Sequence, residues 1–257
     1  MKKMSETVKL QPSERIDDLL THELKIIQSS EVFSFSMDAV LLARFATVPA
    51  RGRIMDLCTG NGVVPLLLST RTKADIDGLE IQPRLAEMAS RSVQLNGLQE
   101  RVTIMAGDLK TFQPRPERPY YELVTVNPPY MPIQTGDTKV NKHQALARYE
   151  VACTLEDVIR TCSRLLRTGG KMAMVHRPSR LTDMMALMRQ YRLEPKRIRF
   201  VHPRVGTEAN MVLIEAARDG KPDVRLLPPL IVYNEGNEYC EELMDIYYDQ
   251  ASQLKDG

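Results

Sequence analysis

RIMDLCTGNGVVPLLLSTR, residues 53–71, opens as a short apolar strand, turns at Gly60 and Gly62, and closes as an apolar helix. Glycine there lets the chain reverse tightly and lets a ligand approach the backbone at the carboxyl end of the strand. The alternation continues downstream. DIDGLE (75–80) reads as a strand, and PRLAEMASRSVQLNG as a helix with Pro83 in its first turn and Gly97 at its end. VTIMAGD (102–108) and ELVTVN (122–127) are further strands, the second running into PPYMP. Beyond a long polar loop from Ile133 to Cys153, Thr154 caps a helix through LEDVIRTCSRLLRTGG, with Asp157 in the capping-box position and the glycine pair as its stop. Strand KMAMVH (171–176), helix LTDMMALMRQY and strands RIRFVH (197–202) and NMVLIEAA (210–217) complete the series. Upstream, Ser13 before RIDDLL predicts a short capped helix, LKIIQ and VFSF extended pieces, and Ser36 a cap for a helix through MDAVLLARFA.

Seven strands alternating with helices over short connections predict an α/β fold, a mostly parallel sheet with helices on both faces. The last two strands have no helix between them, which predicts an antiparallel hairpin at one edge. The expected division is an N-terminal extension (1–32), a main domain (33–218) and a C-terminal decoration (219–257) packed on it. Met184, Met185 and Met188 recur at helical spacing and are expected to pack against the sheet.

Composition narrows the function. With 257 residues, 43% hydrophobic and 26% charged, the chain is long enough for a full core and needs no staple. It has no apolar run of membrane-spanning length, and MKKMSETVKLQPSER lacks the apolar centre of a signal peptide. Cys58, Cys153, Cys162 and Cys240 form no CxxC, and the four histidines are scattered, so no metal site is expected. Unpaired thiols without an export signal predict a cytoplasmic location.

Three strand ends carry candidate ligand groups. After the Gly60–Gly62 turn, Glu80 lies twenty residues beyond Gly60 and can accept from two ribose hydroxyls. Gly107-Asp108-Leu109 follows the third strand, where Asp108 can accept from an adenine amino group and Leu109 can flank the ring. Together they predict one crevice for an adenosine-type cofactor. Pro65 stands where the dinucleotide fingerprint has its third glycine, and the turn lacks a P-loop lysine. Asp56 can instead meet an ammonium directly or through water, which suits S-adenosylmethionine better than a nicotinamide cofactor.

Asn127-Pro128-Pro129-Tyr130 closes the fourth strand. The prolines remove donors and stiffen the chain, so that the Pro128 carbonyl can be held beside the Asn127 side-chain oxygen. Two acceptors at one spot suit an NH2 conjugated to a ring or carbonyl, and they stabilise its nitrogen as positive charge develops on transfer. Tyr130 can stack on a planar base.

In this order and spacing, D-L-C-T-G-N-G, Glu80, Gly107-Asp108-Leu109 and N-P-P-Y resemble the Rossmann-like class I S-adenosylmethionine-dependent methyltransferases that modify amino groups. F-S-F-S-M-D-A-V-L-L (33–42), N-P-P-Y-M-P, L-E-D-V-I-R and M-V-H-R-P more closely resemble the bacterial tRNA(Val) adenine-37 N6-methyltransferase family, from about Glu14 to Tyr248. The resemblance implies methylation of a single-stranded loop adenine in tRNA. It implies that Asp56, Thr59, Gly60 and Gly62 line the methionine end of the cofactor, that Glu80 holds the ribose, and that Asp108 and Leu109, with Ile81, flank the adenosine. Asn127 and the Pro128 carbonyl would hold the target amino group, and Phe35 to Asp38 would lie near the sulfonium side. Cys58 departs from the family pattern, which has glycine there. No general base is implied. N-P-P-Y is shared with DNA adenine methyltransferases and protein glutamine N5-methyltransferases, so a glutamine in a protein or an amino group in rRNA remains an alternative target.

The net charge of +2 conceals a separation. Residues 177–204 hold eight basic and two acidic residues, whereas residues 234–257 hold seven acidic residues and one lysine. Arg177, Arg197, Arg199 and Arg204, with Lys139, Lys142 and Arg148 of the polar loop, are therefore the expected RNA contacts.

Overall fold

The computed structural model describes residues 8–32, 35–130 and 152–248. Its centre is a sheet in which β3 (Arg53–Leu57) pairs in parallel with β4 (Asp75–Glu80) on one side and β6 (Tyr121–Val126) on the other. Beyond β4 lies β5 (Val102–Ala106), and beyond β6 lies β7 (Leu166–His176), both also parallel. Every residue of β3 is buried, which is why RIMDL reads as a continuous run and not as an alternation. The helices α1 (Met37–Phe45), α2 (Val63–Ser69), α3 (Pro83–Leu95), α4 (Leu155–Leu165) and α5 (Leu181–Gln190) flank these strands. In α3, Leu85, Met88, Ala89, Ser92 and Val93 make one buried face at helical spacing. Met184 and Met188 of α5 are fully buried and Met185 packs against the same core.

The seven expected strands are present, and two further strands of two residues each, β10 (Arg225–Leu226) and β11 (Leu230–Ile231), pair with β8 (Leu193–His202). The expected antiparallel hairpin of the last two long strands lies at one edge, with these two short strands beyond it. β9 (Met211–Arg218) inserts between β7 and β8 and pairs antiparallel with both, leaving β8 outside it and the two short strands on the outer edge of β8.

RIDDLL does not form the expected helix. Glu14–Asp18 is β1, paired antiparallel with β2 (Lys25–Ser29) through a turn in which Leu20, His22 and Glu23 adopt positive φ. Ser13 caps nothing, because its hydroxyl bonds Ser29 across the hairpin. The hairpin is docked on α3: Ile27 N–H donates to Ser92, Lys25 N–H donates to Asn96, and Arg91 forms a two-armed ion pair with Glu14. Tertiary partners here override local helix preference. Ser36 occupies the N-cap position of α1, yet its hydroxyl accepts from no helix N–H and instead donates to the Asp38 carboxylate at 2.6 Å. Thr154 and Asp157 do form the expected capping box of α4. That helix ends at Leu165, before the glycine pair, because the chain from Leu166 already pairs with Tyr121 of β6. At the far end, α6 (Glu241–Tyr248) buries Leu243 and Ile246 in the same core cluster as α1. Among the described residues no helix is long and apolar enough to cross a membrane.

Candidate active site

Strands β3, β4, β5 and β6 end on one side of the sheet, and the residues at or after each end line a single cleft with about 890 Å3 of empty space. Cys58, Thr59 and Gly60 come from β3, Glu80 and Ile81 from β4, Asp108 and Leu109 from β5, and Asn127 and Pro129 from β6. Phe35, Ser36 and Ala39 close one side, and Ala152 and Cys153 close another.

The glycine turn is strongly curved, with φ of 57° at Cys58, 57° at Gly60 and 89° at Gly62. The two glycines serve different ends. A Cβ added to Gly60 would meet nothing within 4 Å and would project into open space at the cleft wall. A Cβ on Gly62 would stand 3.0 Å from the Ala89 side chain, so Gly62 serves the packing of α2 on α3. Cys58 sits in the left-handed region despite its side chain. Its thiol shares a hydrogen bond with Cys153, and that bond and desolvation raise its pKa.

Glu80 is 5% exposed and is held by two backbone donors, Gly60 N–H on Oε2 and Gln82 N–H on Oε1, each at 2.9 Å. Burial raises its pKa while the backbone donors pull the other way. Each oxygen retains a second lone pair, and the side chain lines the cleft. Asp108 also lines it, with Oδ1 accepting from Lys110 N–H at 2.9 Å. A bare glycine edge, a paired carboxylate and the apolar Leu109, Leu79 and Ile81 fit a nucleoside with vicinal hydroxyls.

Five expected residues do not line this cleft: Asp38, Asp56, Gly62, Pro128 and Tyr130. Asp56 is 1% exposed beneath the turn, with Oδ1 accepting from the Thr125 hydroxyl at 2.6 Å. Its Oδ2, like the nearby Thr59 Oγ1, has no hydrogen-bond partner among the described residues. Burial pushes the Asp56 carboxyl up to about 7. Pro128 is buried. Tyr130 is not a free platform. Its hydroxyl stands against both the Asp38 carboxylate and the Asn127 side-chain oxygen. Its ring meets His176 edge-on at 5.3 Å, and the Arg177 guanidinium lies over it at 5.4 Å. Burial, with the Asp38 charge beside it, holds the Tyr130 pKa well above the usual phenol value, so the hydroxyl keeps its proton.

Sequence reasoning missed Gln82, Leu85, Pro129 and Cys153 as wall residues, along with Gly78 beneath the turn. A Cβ on Gly78 would lie 2.7 Å from Ile104 and 3.1 Å from Thr59 Oγ1, and a lone glycine inside a strand was the available signal. Cys153 directly precedes the Thr154 cap, so the start of α4 delivers it to the wall.

Five arginines of the basic stretch are paired with carboxylates. Arg199 pairs with Glu242 of the acidic C-terminal segment at 2.5 Å, and Arg197 pairs with Glu215 at 3.3 Å. Arg180, Arg189 and Arg192 pair with Asp183, Glu194 and Asp219. Arg204 bonds Asn237 and the Asn234 carbonyl. Arg177 is exposed beside Tyr130, with one hydrogen bond to the Asn210 carbonyl. Lys139, Lys142 and Arg148 lie outside the described residues.

Comparison with known proteins bears on this arrangement. The family model of the methyltransferase small domain matches residues 23–193. A tRNA1(Val) (adenine(37)-N6)-methyltransferase of Aeromonas hydrophila is 31% identical over 183 residues, 70% of this chain and 75% of that protein. One of the same description from Tolumonas auensis is 28% identical over 84% of this chain and 90% of its own. Among solved structures, a predicted O-methyltransferase of Agrobacterium tumefaciens superposes with a TM-score of 0.65 at 26% identity, covering 82% of this chain and 95% of that one.

Proposed function

The chain belongs to the methyltransferase small domain family, and from that membership we propose that it is an S-adenosylmethionine-dependent enzyme methylating N6 of adenine 37 in the anticodon loop of a tRNA. The observation that carries this reading is the meeting of Gly60, Glu80, Asp108 and Asn127 at one cleft, on a chain whose relatives bear that activity in their names. When bound, the cofactor supplies an electrophilic methyl group. Glu80 would hold the ribose hydroxyls, and Asp108 and Leu109 would flank the adenine. Phe35, Thr59, Gly60 and Ile81 would complete the wall, Gly60 by leaving room. Asp56, below the floor, has the free oxygen with which to reach an ammonium through water.

The adenine amino nitrogen is a poor nucleophile because its lone pair is delocalised. Asn127 would accept one of its protons, with the Pro128 carbonyl as the second acceptor, and so stabilise the charge that develops on nitrogen. An anticodon-loop base is already unpaired, so little unstacking energy is needed to reach the cleft. Arg177, exposed beside Tyr130, supplies a cation for a phosphate. A cytoplasmic location follows from the substrate.

Labelled methyl transfer to an unmodified tRNA transcript, followed by nucleoside mass spectrometry, tests the reading. N6-methyladenosine is the expected product, and methyl groups found only in protein or in rRNA would overturn it. Asn127→Ala should lower turnover by about 10²–10³-fold, with calorimetric cofactor binding retained. Unchanged turnover would remove Asn127 from its role.

A further inference from the structure

The Tyr130 hydroxyl has one proton and two oxygen neighbours, Asp38 Oδ2 and Asn127 Oδ1. It can donate to only one at a time. The ring around that hydroxyl is fixed by the His176 edge contact and the overlying Arg177. Asp38 is equally fixed: it is 7% exposed, and its Oδ1 already accepts from the Ser36 hydroxyl at 2.6 Å and its neighbour Ala39 N–H at 2.8 Å. The carboxylate is the stronger acceptor of the two, and it belongs to α1, whereas Asn127 and Tyr130 belong to the exit of β6.

On the reading given above, Asn127 must present its oxygen to an incoming amino group. We propose that Asp38 and Tyr130 form a hydroxyl–carboxylate latch that positions this oxygen. The Tyr130 proton rests on Asp38, the stronger acceptor, and this bond anchors the hydroxyl and the β6 exit beside Asn127. The Asn127 oxygen is thereby held in place but left unclaimed, so that an arriving amino group can donate to it without displacing a protein donor. No covalent bond is made or broken. Tyr130 and Asp38 are positioning residues, and Asp38 acts through Tyr130 without being part of the cofactor wall.

The test compares wild type, Y130F, D38N and the double variant on an unmodified tRNA transcript with labelled S-adenosylmethionine. Y130F keeps the aromatic face, so a tyrosine that only stacks on a base leaves kcat unchanged. The latch instead predicts a 10–100-fold fall in kcat for Y130F and a similar fall for D38N. KM for both substrates and calorimetric cofactor affinity should stay within about threefold. The double variant should be no slower than Y130F alone, because both changes break one chain of contacts. Wild-type kcat in Y130F, or losses that multiply in the double variant, would overturn the latch. Should D38N fail to fold by circular dichroism, Y130F alone still decides through its split between kcat and KM. A wild-type protein that methylates no tRNA defeats the underlying reading, which is a different result from an active wild type with an indifferent Y130F.

Discussion

Asp56 shows how one residue can serve two masters in the same place. Its carboxyl is held near 7 by burial, above the value of about 3.9 for the unfolded chain. A group with a raised folded pKa contributes stability below its unfolded pKa and loses it as pH rises through the folded one. Asp56→Asn cannot ionise, so its stability relative to wild type should climb between about pH 4 and pH 7 and then level off. Denaturant midpoints measured across that range check this, and parallel curves would show that Asp56 does not titrate there. Glu80, also raised, is common to both proteins and cancels in the difference. The same variant should bind cofactor more weakly, since it replaces the unpartnered oxygen under the turn. At this scale the wall was legible from sequence wherever a ligand group stood at a strand end: Gly60, Glu80, Asp108 and Asn127 all reach the cleft. Asp38 and Tyr130 were named from sequence too, but their contact was not legible, because it spans 92 positions and no local spacing encodes it.

Among the elements, α4 couples stability to the site most directly. Its capping box satisfies free N–H groups at the helix start, and the residue before the cap is Cys153 on the cleft wall. Thr154→Ala should cost about 1 kcal/mol, read as a lower denaturation midpoint. Cofactor affinity should fall with it, because the helix entry frays beside the cleft; affinity unchanged at a lower midpoint would separate cap from wall. This cap was visible in the residues alone, since Thr154 and Asp157 meet within one turn. The buried parallel strands were visible too, as apolar runs without alternation. The β1–β2 hairpin was not. Arg15, Ile16 and Asp18 are exposed, and what makes Glu14–Asp18 extended is its pairing with β2 and the docking of that pair on α3. The end of α4 was misplaced for a similar reason: pairing with β6 begins at Leu166, ahead of the glycines that local rules would choose.

For the whole molecule, charge along the chain is a poor guide to charge in space. Arg199 and Glu242 lie 43 positions apart and meet at 2.5 Å. Arg199→Ala should therefore leave tRNA affinity within about twofold, whereas Arg177→Ala should weaken it and reduce its dependence on salt; filter binding at several salt concentrations distinguishes the two. Equal effects from both would show that Arg199 contacts tRNA despite its ion pair. The placement of β9 has a separate bearing on how the chain is made. During synthesis β7 and β8 leave the ribosome before their shared neighbour, so β7 has an unpaired edge until Met211–Arg218 follows. Such edges recruit other chains. A nascent chain whose β8 has emerged but whose β9 has not would thus display two strands awaiting the same partner. Translation speed just downstream of β8 then bears on yield of soluble protein, independently of anything that happens at the cleft.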